Sequence, residues 1–485
     1  MSELTGGVLI IYTGGTVGAV HQHAGSSDEP LVPGSTAALK SHLPLVDGRA
    51  IKLSQGLVPV DVTSTDELLD STNITPSDWV TIASLVEKHY DEYVGFVILH
   101  GTDTMAFTAS ALSFMFDNLE KPVVLTGAQR PIGETRSDAL QNIITAVEIA
   151  ASSLLGNPVV PEVSVYFHDV LLRGCRVTKT SASAYQGFHT PNCPALATAG
   201  EHINVNEPVV RMASGQALTT RYGLNRNIAV LQLSPLMNLE MLERMLSAAS
   251  LEAVILETYG VGNAPSSREF LQIIERTVKR GVKVVAVTQC RQGAVELGLY
   301  QVSAGLLQRG VISGLDMTAE AAQTKMAVLL EDPTLVDPVE ALMQINLRGE
   351  QSQSLFDLSF PAGKAEPAVK VWQEGTFPGT TYYDDKLVKT AQLRILDLKV
   401  DSSEFCEISL KITINDSSQK ATIVWDPHEE DHMAIVDVTK SVRRAVDRAR
   451  KSSVTIEVMS PEKFSLAWQS LHLAIFTDVR SNQIF

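Results

Sequence analysis

The tightest constraint on this chain is a pattern that occurs twice: a run of large and β-branched apolar residues that breaks straight into glycines and hydroxyl side chains. At 95–99 the run is Gly-Phe-Val-Ile-Leu, and His100, Gly101, Thr102, Asp103 and Thr104 follow it. Apolar side chains at successive positions predict a strand buried on both faces, as in a parallel sheet covered by helices. Residues 105–116 carry Ala, Leu, Phe and Met at helical spacing and predict the helix that follows. A hydroxyl on the intervening turn stands at the carboxyl end of a strand and near a helix N-terminus, where α/β sheets bind ligands. Thr102 or Thr104 capping the helix, with Asp103 complementing its dipole, accounts for the same residues without a ligand.

The second copy favours the ligand. Val8, Leu9, Ile10, Ile11 and Tyr12 lead into Thr13, Gly14, Gly15 and Thr16, and two adjacent glycines permit a sharp turn and close backbone approach. Two strand tips, one bearing Thr16 and the other Thr102, can then face one another. Neither turn has the spaced glycines of a dinucleotide loop or the Gly-Lys-Ser/Thr ending of a phosphate loop.

A length of 485 residues with 45% hydrophobic content predicts two or three domains with substantial cores. The formal net charge of -16 disfavours nucleic acid and anionic membrane as partners and leaves small molecules and proteins. No secretory signal and no bilayer-length segment is read, so a cytoplasmic protein is expected. Cys175, Cys193, Cys290 and Cys406 and the histidines show no metal-ligand or redox spacing, so neither metal nor other cofactor is expected.

Along the chain, residues 18–36 read as a polar loop, 50–64 as a strand, and Thr75-Pro76 opens a helix. Asp70-Ser71 lies just before it: the hydroxyl suits an α-carboxylate and the carboxylate an α-ammonium, while turn chemistry alone explains the same pair. A strand at 123–126, a helix at 137–155 and a strand at 163–167 follow, with Arg130, Arg136 and Asp138 read as scaffold charges. Lys179 closes the stretch. An N-terminal α/β domain over 1–205, a linker over 206–225 and a second α/β domain over 226–352 are expected. In the second, strands at 228–233, 253–256 and 282–288 alternate with helices at 239–249 and 268–280, which predicts a parallel sheet with right-handed crossovers. Residues 353–485 form a further small α+β domain of unknown role: a strand at 408–414, a turn at 415–418, a strand at 421–425, a helix at 436–451 and a strand at 454–459. The helix would carry a solvated basic face of Arg443, Arg444, Arg448, Arg450 and Lys451.

Several motifs then fall in one order: Ile-Tyr-Thr-Gly-Gly-Thr at 11–16, Asp70-Ser71, His-Gly-Thr-Asp-Thr-Met at 100–105, Thr-Gly-Ala-Gln-Arg-Pro at 126–131, Lys179 after Arg173-Gly174, and Tyr-Gly-Val-Gly-Asn at 259–263. Over residues 4–350 this resembles the cytoplasmic (type I) L-asparaginases of the asparaginase/glutaminase family, whose fold is two parallel-sheet α/β domains. The resemblance implies hydrolysis of the small molecule L-asparagine to L-aspartate and ammonia, with Thr16 as nucleophile of an acyl-enzyme and Thr102, Asp103 and Lys179 as a relay. It further implies substrate binding by Asp70, Ser71, Thr102 and Asp103, and an Asn263 that reaches the active site of a neighbouring subunit in a homodimer or homotetramer. The loop tyrosine that activates the first threonine in many members is replaced near Pro30 and Leu31; by resemblance to mammalian cytosolic members, Tyr300 takes its place. Glu257 stands where some bacterial members have an arginine of an asparagine effector site, so homotropic activation is not expected. Alternatives are glutaminase activity, and the ammonia-producing subunit of an archaeal-type tRNA amidotransferase, disfavoured by the acidic charge and the short stretch before Thr13. A third is a catalytically inactive amino-acid sensor whose C-terminal domain relays occupancy to a protein partner.

Overall fold

The computed structural model describes residues 6–21, 31–298, 301–360, 363–365, 371–376, 388–396, 398–414, 417–427, 433–445, 451–459, 466–468 and 470–478. The first unit contains β1 (Val8–Gly14), β2 (Gly56–Leu69), α1 (Pro76–Lys88), β3 (Gly95–Leu99), α2 (Met105–Met115), β4 (Val123–Thr126), α3 (Ala139–Ala150), β5 (Val163–Phe167) and β6 (Val170–Arg173). Five strands run parallel in the order β2-β1-β3-β4-β5, with Ile10 registered against both Val62 and Val97. β6 pairs antiparallel with β5, and short strands at both edges complete ten. Leu9 and Ile11 pack with α1 and α2 on one face, while Val8, Ile10 and Tyr12 pack with α3 on the other. This is why β1 is apolar throughout; each fully buried side chain of this size contributes about 2 kcal/mol.

In α2 every residue except Phe107 is buried. The reason lies in the second unit, which packs its own helix against it and joins Ser110 Oγ to Thr324 Oγ1 at 2.8 Å. That unit comprises β7 (Ile228–Gln232), α4 (Leu239–Leu246), β8 (Ala253–Thr258), α5 (Arg268–Lys279), β9 (Lys283–Thr288), β10 (Ile312–Ser313) and α6 (Ala319–Glu331), with the strands parallel in chain order. A buried ion pair fastens the junction, Arg176 to Asp316 at 3.0 Å, and a second, Lys325 to Glu350 at 2.6 Å, ties α6 to the segment that follows it.

Two antiparallel four-stranded sheets make up most of the remainder. One has the order β11 (Gln353–Phe360), β18 (Ser470–Asp478), β13 (Val388–Leu396), β16 (Ala434–Asp437); the other β12 (Val371–Thr376), β17 (Lys451–Val458), β14 (Cys406–Ile414), β15 (Ser417–Trp425). Ile408, Leu410, Ile412 and Ile414 all point into the core between them, as their alternation predicts. The helix expected over 436–451 is only the seven-residue α7 (Thr439–Ala445). Val436 pairs with Leu393 in the sheet before it, and Lys451 opens β17 after it. Arg448 and Arg450 of the expected basic face, and residues 415–416 of the expected turn, lie outside the described residues. The polar stretch 18–36 also begins and ends in strands, Ala19–His21 pairing antiparallel with Leu31–Pro33. The sandwich rests on the second unit: Leu355, Ala474 and Phe476 bury Leu315, and a Cβ on Gly298 would come within 2.9 Å of Ile435 Cδ1. No helix among the described residues is long and apolar enough to cross a membrane.

Candidate active site

The parallel order reverses direction between β1 and β3, the switch point at which open α/β sheets leave a crevice beyond their strand ends. Three segments converge there. β1 ends at Gly14, and Gly15 adopts φ 79° and ψ 179°, a backbone region essentially restricted to glycine. A Cβ at Gly15 would lie 3.1 Å from the His100 carbonyl carbon and closer still to Gly101 Cα and N. Gly101 is equally hemmed in, since a Cβ there would be 2.5 Å from Ser71 Oγ. The missing side chains therefore let the tips of β1, β2 and β3 touch backbone to backbone. Hydrogen bonds hold the arrangement: Gly15 N donates to Leu69 O at 3.0 Å, Thr13 Oγ1 to Leu99 O at 3.0 Å and Thr104 Oγ1 to Ser71 O at 2.7 Å.

Thr16 follows Gly15, half-buried, at the start of the 3-10 turn Thr16–Gly18. Ile132 N donates to Val17 O at 3.0 Å and ties this turn to the loop after β4. Asp138 fixes that loop, accepting from Gln129 N at 3.0 Å and Arg130 N at 3.1 Å, while Arg130 pairs with Glu134 at 2.6 Å. Arg130 and Asp138 are thus occupied as scaffold.

Thr102 is 7% exposed, and Lys179 Nζ donates to its Oγ1 at 2.9 Å and to Asp103 Oδ1 at 2.6 Å. Lys179 arrives on a short strand whose partner residue is Phe188. Because an ammonium only donates, Thr102 Oγ1 is the acceptor here and its own proton is not taken up by Lys179. Asp103 keeps 59% of its side chain exposed. Asp70 is exposed as well and caps the turn Ser71–Asn73, accepting from Thr72 N at 2.9 Å; Ser71 is buried. Thr16, Asp70, Ser71, Thr102, Asp103 and Lys179 therefore share one end of the sheet.

Behind Thr102 runs a relay that sequence reasoning did not assign. Trp79 Nε1 donates to Thr108 Oγ1 at 2.9 Å, Thr108 Oγ1 lies 2.9 Å from His100 Nε2, and His100 Nδ1 lies 2.6 Å from Gly101 O. A carbonyl accepts only, so Nδ1 carries the proton and Nε2 accepts from Thr108. Burial pushes the His100 pKa down to about 4, against the smaller opposing effect of that carbonyl, so the ring is neutral. His100 falls within the motif read at 100–105, but nothing local ties it to Trp79 or Thr108, which lie on α1 and α2. Tyr12, next to Thr13 in the chain, turns into the core against Gly18; burial pushes its phenol up to about 12.

Asn263 lies in the second unit, in a tight turn where its N–H donates to Tyr259 O at 2.8 Å. Among the described residues no hydrogen bond joins it to the threonine tips, and its buried Oδ1 has no partner. Tyr300 lies outside the described residues. Burial, and then the nearby Glu320 carboxylate, raise the pKa of Glu257, which marks its surroundings as unfavourable to a further anion. No group of three or more His, Cys, Asp or Glu among the described residues is placed to hold a metal ion.

Comparison with known proteins adds to this geometry. The family descriptions "Asparaginase, N-terminal" and "Glutaminase/Asparaginase C-terminal domain" match residues 7–211 and 227–343. L-asparaginase 1 of Escherichia coli (strain K12) is 39% identical over 345 residues, which span 71% of this chain and 97% of the relative. The 60 kDa lysophospholipase of Mus musculus is 37% identical over 374 residues, 73% of this chain and 64% of that protein. Among solved structures, L-asparaginase I from Vibrio cholerae O1 biovar eltor str. N16961 aligns with a TM-score of 0.63 at 38% identity, covering 71% of this chain and 98% of that one.

Proposed function

Because the chain belongs to the asparaginase family and is similar to its cytoplasmic type I members, we propose that it hydrolyses the side-chain amide of L-asparagine through Thr16. The observation that carries this reading is the Lys179 ammonium bridging Thr102 and Asp103 at a switch point whose neighbouring strand tip bears Thr16. In the reaction Thr16 Oγ1 attacks the amide carbon, ammonia leaves, and water opens the resulting acyl-enzyme. Thr102 holds the attacking water or passes a proton, with Lys179 favouring the more negative state of its oxygen. Backbone N–H groups at the two glycine turns face the developing oxyanion, each well-placed donor being worth about 3 kcal/mol.

Asp70 and Asp103, both exposed to the crevice end, suit the substrate ammonium, and Ser71 suits its carboxylate. By resemblance alone, Asn263 reaches the active site of a neighbouring subunit in a homodimer or homotetramer. Activation of Thr16 is assigned to Tyr300 by resemblance alone. The work is placed in the cytoplasm, as for the class it resembles. Glutamine differs from asparagine by one methylene, worth only about 1 to 3 kcal/mol of discrimination, so some glutaminase activity accompanies the main reaction.

The test is ammonia release by the full chain from L-asparagine and L-glutamine, with Thr16→Ala and Thr102→Ala alongside. Release from asparagine that both variants lose is expected. Binding of asparagine without release would replace the enzyme by an amino-acid sensor.

A further inference from the structure

Beyond the end of α2 lies a cavity of about 70 Å³, lined by residues 116–119 after the helix, by 161–163 at the start of β5, and by Arg211, Met212 and Ser214 of the stretch that leads to the second unit. The threonine tips stand at the carboxyl ends of β1 and β3, whereas Val163 is the first residue of β5. The cavity therefore lies at the opposite end of the same parallel strands. It has room for a few heavy atoms, since one water molecule needs about 10 to 15 Å³ of such space.

Its charges do not balance. Arg173, Arg211 and Arg348 line it together with Asp117 and Glu162. Both carboxylates are taken. Glu162 accepts from Arg173 Nε at 2.6 Å, from Arg173 Nη2 at 3.0 Å and from the Arg211 backbone N at 2.7 Å, and Asp117 pairs with both Arg348 and Arg221. The groups behind them add cations and carboxylates in equal number, Arg221 with Asp332 and the buried Lys325 with Glu350. Arg211 is the cation left over. Among the described residues its guanidinium has no carboxylate partner and a single hydrogen bond, from Nη2 to Leu347 O at 3.1 Å. Leu347 O also accepts from Arg348 Nη1 at 3.0 Å, so one carbonyl holds two guanidiniums side by side. A guanidinium carries about five N–H donors in a fixed fork, so Arg211 keeps most of its own. Two neutral donors share the lining: Ser214, whose hydroxyl accepts from Gln216 N at 3.2 Å and keeps its proton, and Asn118, whose amide commits one N–H to Ala217 O at 3.3 Å. Leu119, Pro161 and the exposed Met212 add apolar surface.

We propose that this cavity is a binding site for a small monocarboxylate. Its carboxylate takes the unused N–H groups of Arg211 and screens that cation from Arg348, and its short alkyl part lies against Leu119, Pro161 and Met212. The guanidinium fork matches a carboxylate with two parallel hydrogen bonds. A cation would find no unpaired carboxylate, a neutral amide would leave the Arg211 charge uncompensated, and a doubly charged phosphate exceeds the single surplus charge.

The experiment is isothermal titration of the full chain with propionate, and with propionamide, propylammonium and inorganic phosphate at the same pH and ionic strength. Arg211→Gln removes the cation, Arg211→Lys keeps the charge without the fork, and Ser214→Phe fills the cavity. Circular dichroism and melting temperature check that each variant is folded. Saturable one-site binding of propionate is expected, at least tenfold tighter than the other three probes. It should weaken at least tenfold in Arg211→Gln and in Ser214→Phe, with an intermediate loss in Arg211→Lys. Equal or tighter binding of propionamide, propylammonium or phosphate overturns the proposal. Propionate binding unchanged in a folded Arg211→Gln or Ser214→Phe protein, or no saturable binding, overturns it as well.

Discussion

Gly15→Ala is the sharpest perturbation available to the proposed site, because it changes one methyl group and no chemical function. Two costs apply. With φ 79° and ψ 179° the native backbone lies where alanine is strained by about 1 to 3 kcal/mol. The new Cβ would also stand 3.1 Å from the His100 carbonyl carbon and closer to Gly101 backbone atoms, whereas carbon atoms rest at about 3.5 to 4.0 Å. Neither neighbour is a movable side-chain end, so the tips of β1 and β3 must part by about 1 Å. A displacement of that size between catalytic groups lowers a rate by about 100-fold. Gly156→Ala serves as the control: φ is 72°, yet a Cβ there has nothing within 4 Å. The assay is kcat for ammonia release from asparagine, with urea unfolding in parallel. Gly15→Ala should lose about 2 orders of magnitude in kcat while remaining folded, and Gly156→Ala should lose stability only. A Gly15→Ala protein within threefold of the parent kcat would refute the idea that backbone contact at the tips sets the catalytic geometry.

Lys179→Met should lower kcat by about 100-fold to 10,000-fold with little change in melting temperature, since Lys179 sits at the crevice rim; a tenfold drop or less would remove it from the relay. His100 has a folded pKa of about 4 against about 6.5 unfolded. Between those values the unfolded chain binds the proton the folded chain refuses, so stability should fall as pH drops from about 6.5 toward 4, by roughly 3 kcal/mol from this group. In urea titrations across that window, His100→Gln should flatten the slope, and an unchanged slope would contradict the buried neutral ring. Lys325→Met should destabilise by about 3 to 5 kcal/mol because it strands Glu350, and Lys325→Met with Glu350→Gln should recover much of that; a double variant no better than the single would show that packing dominates. With Glu257 and Glu320 close together, asparagine saturation should be hyperbolic, and a strongly sigmoidal curve would require another effector site.

The strand-turn-helix segments at β1 and β3–α2 were legible because burial on both faces leaves nothing but apolar residues between glycine turns. Lys179 was legible only through resemblance: nothing local marks a lysine 77 positions after Thr102 as its partner, since that proximity is created by the sheet. The Trp79–Thr108–His100 chain escaped for the same reason, as it joins α1, α2 and the residue that follows β3. The expected helix over 436–451 failed because local helical spacing competes with strand pairing. Val436 and Lys451 are held by β13 and β12, elements distant in sequence. The hairpin within 18–36 escaped because its polar composition gives no alternation to read.

The burial of α2 has one more consequence. Its backbone amides are screened from the first unit's side by the sheet and from the second unit's side by α6, so water reaches them only when the two units separate or the core opens. Hydrogen exchange at α2 is therefore a clock for parting of the units, whereas exchange in the exposed edge strand β7 records local fraying. The ratio of the two rates tells whether a destabilising substitution loosens one unit or pries the pair apart.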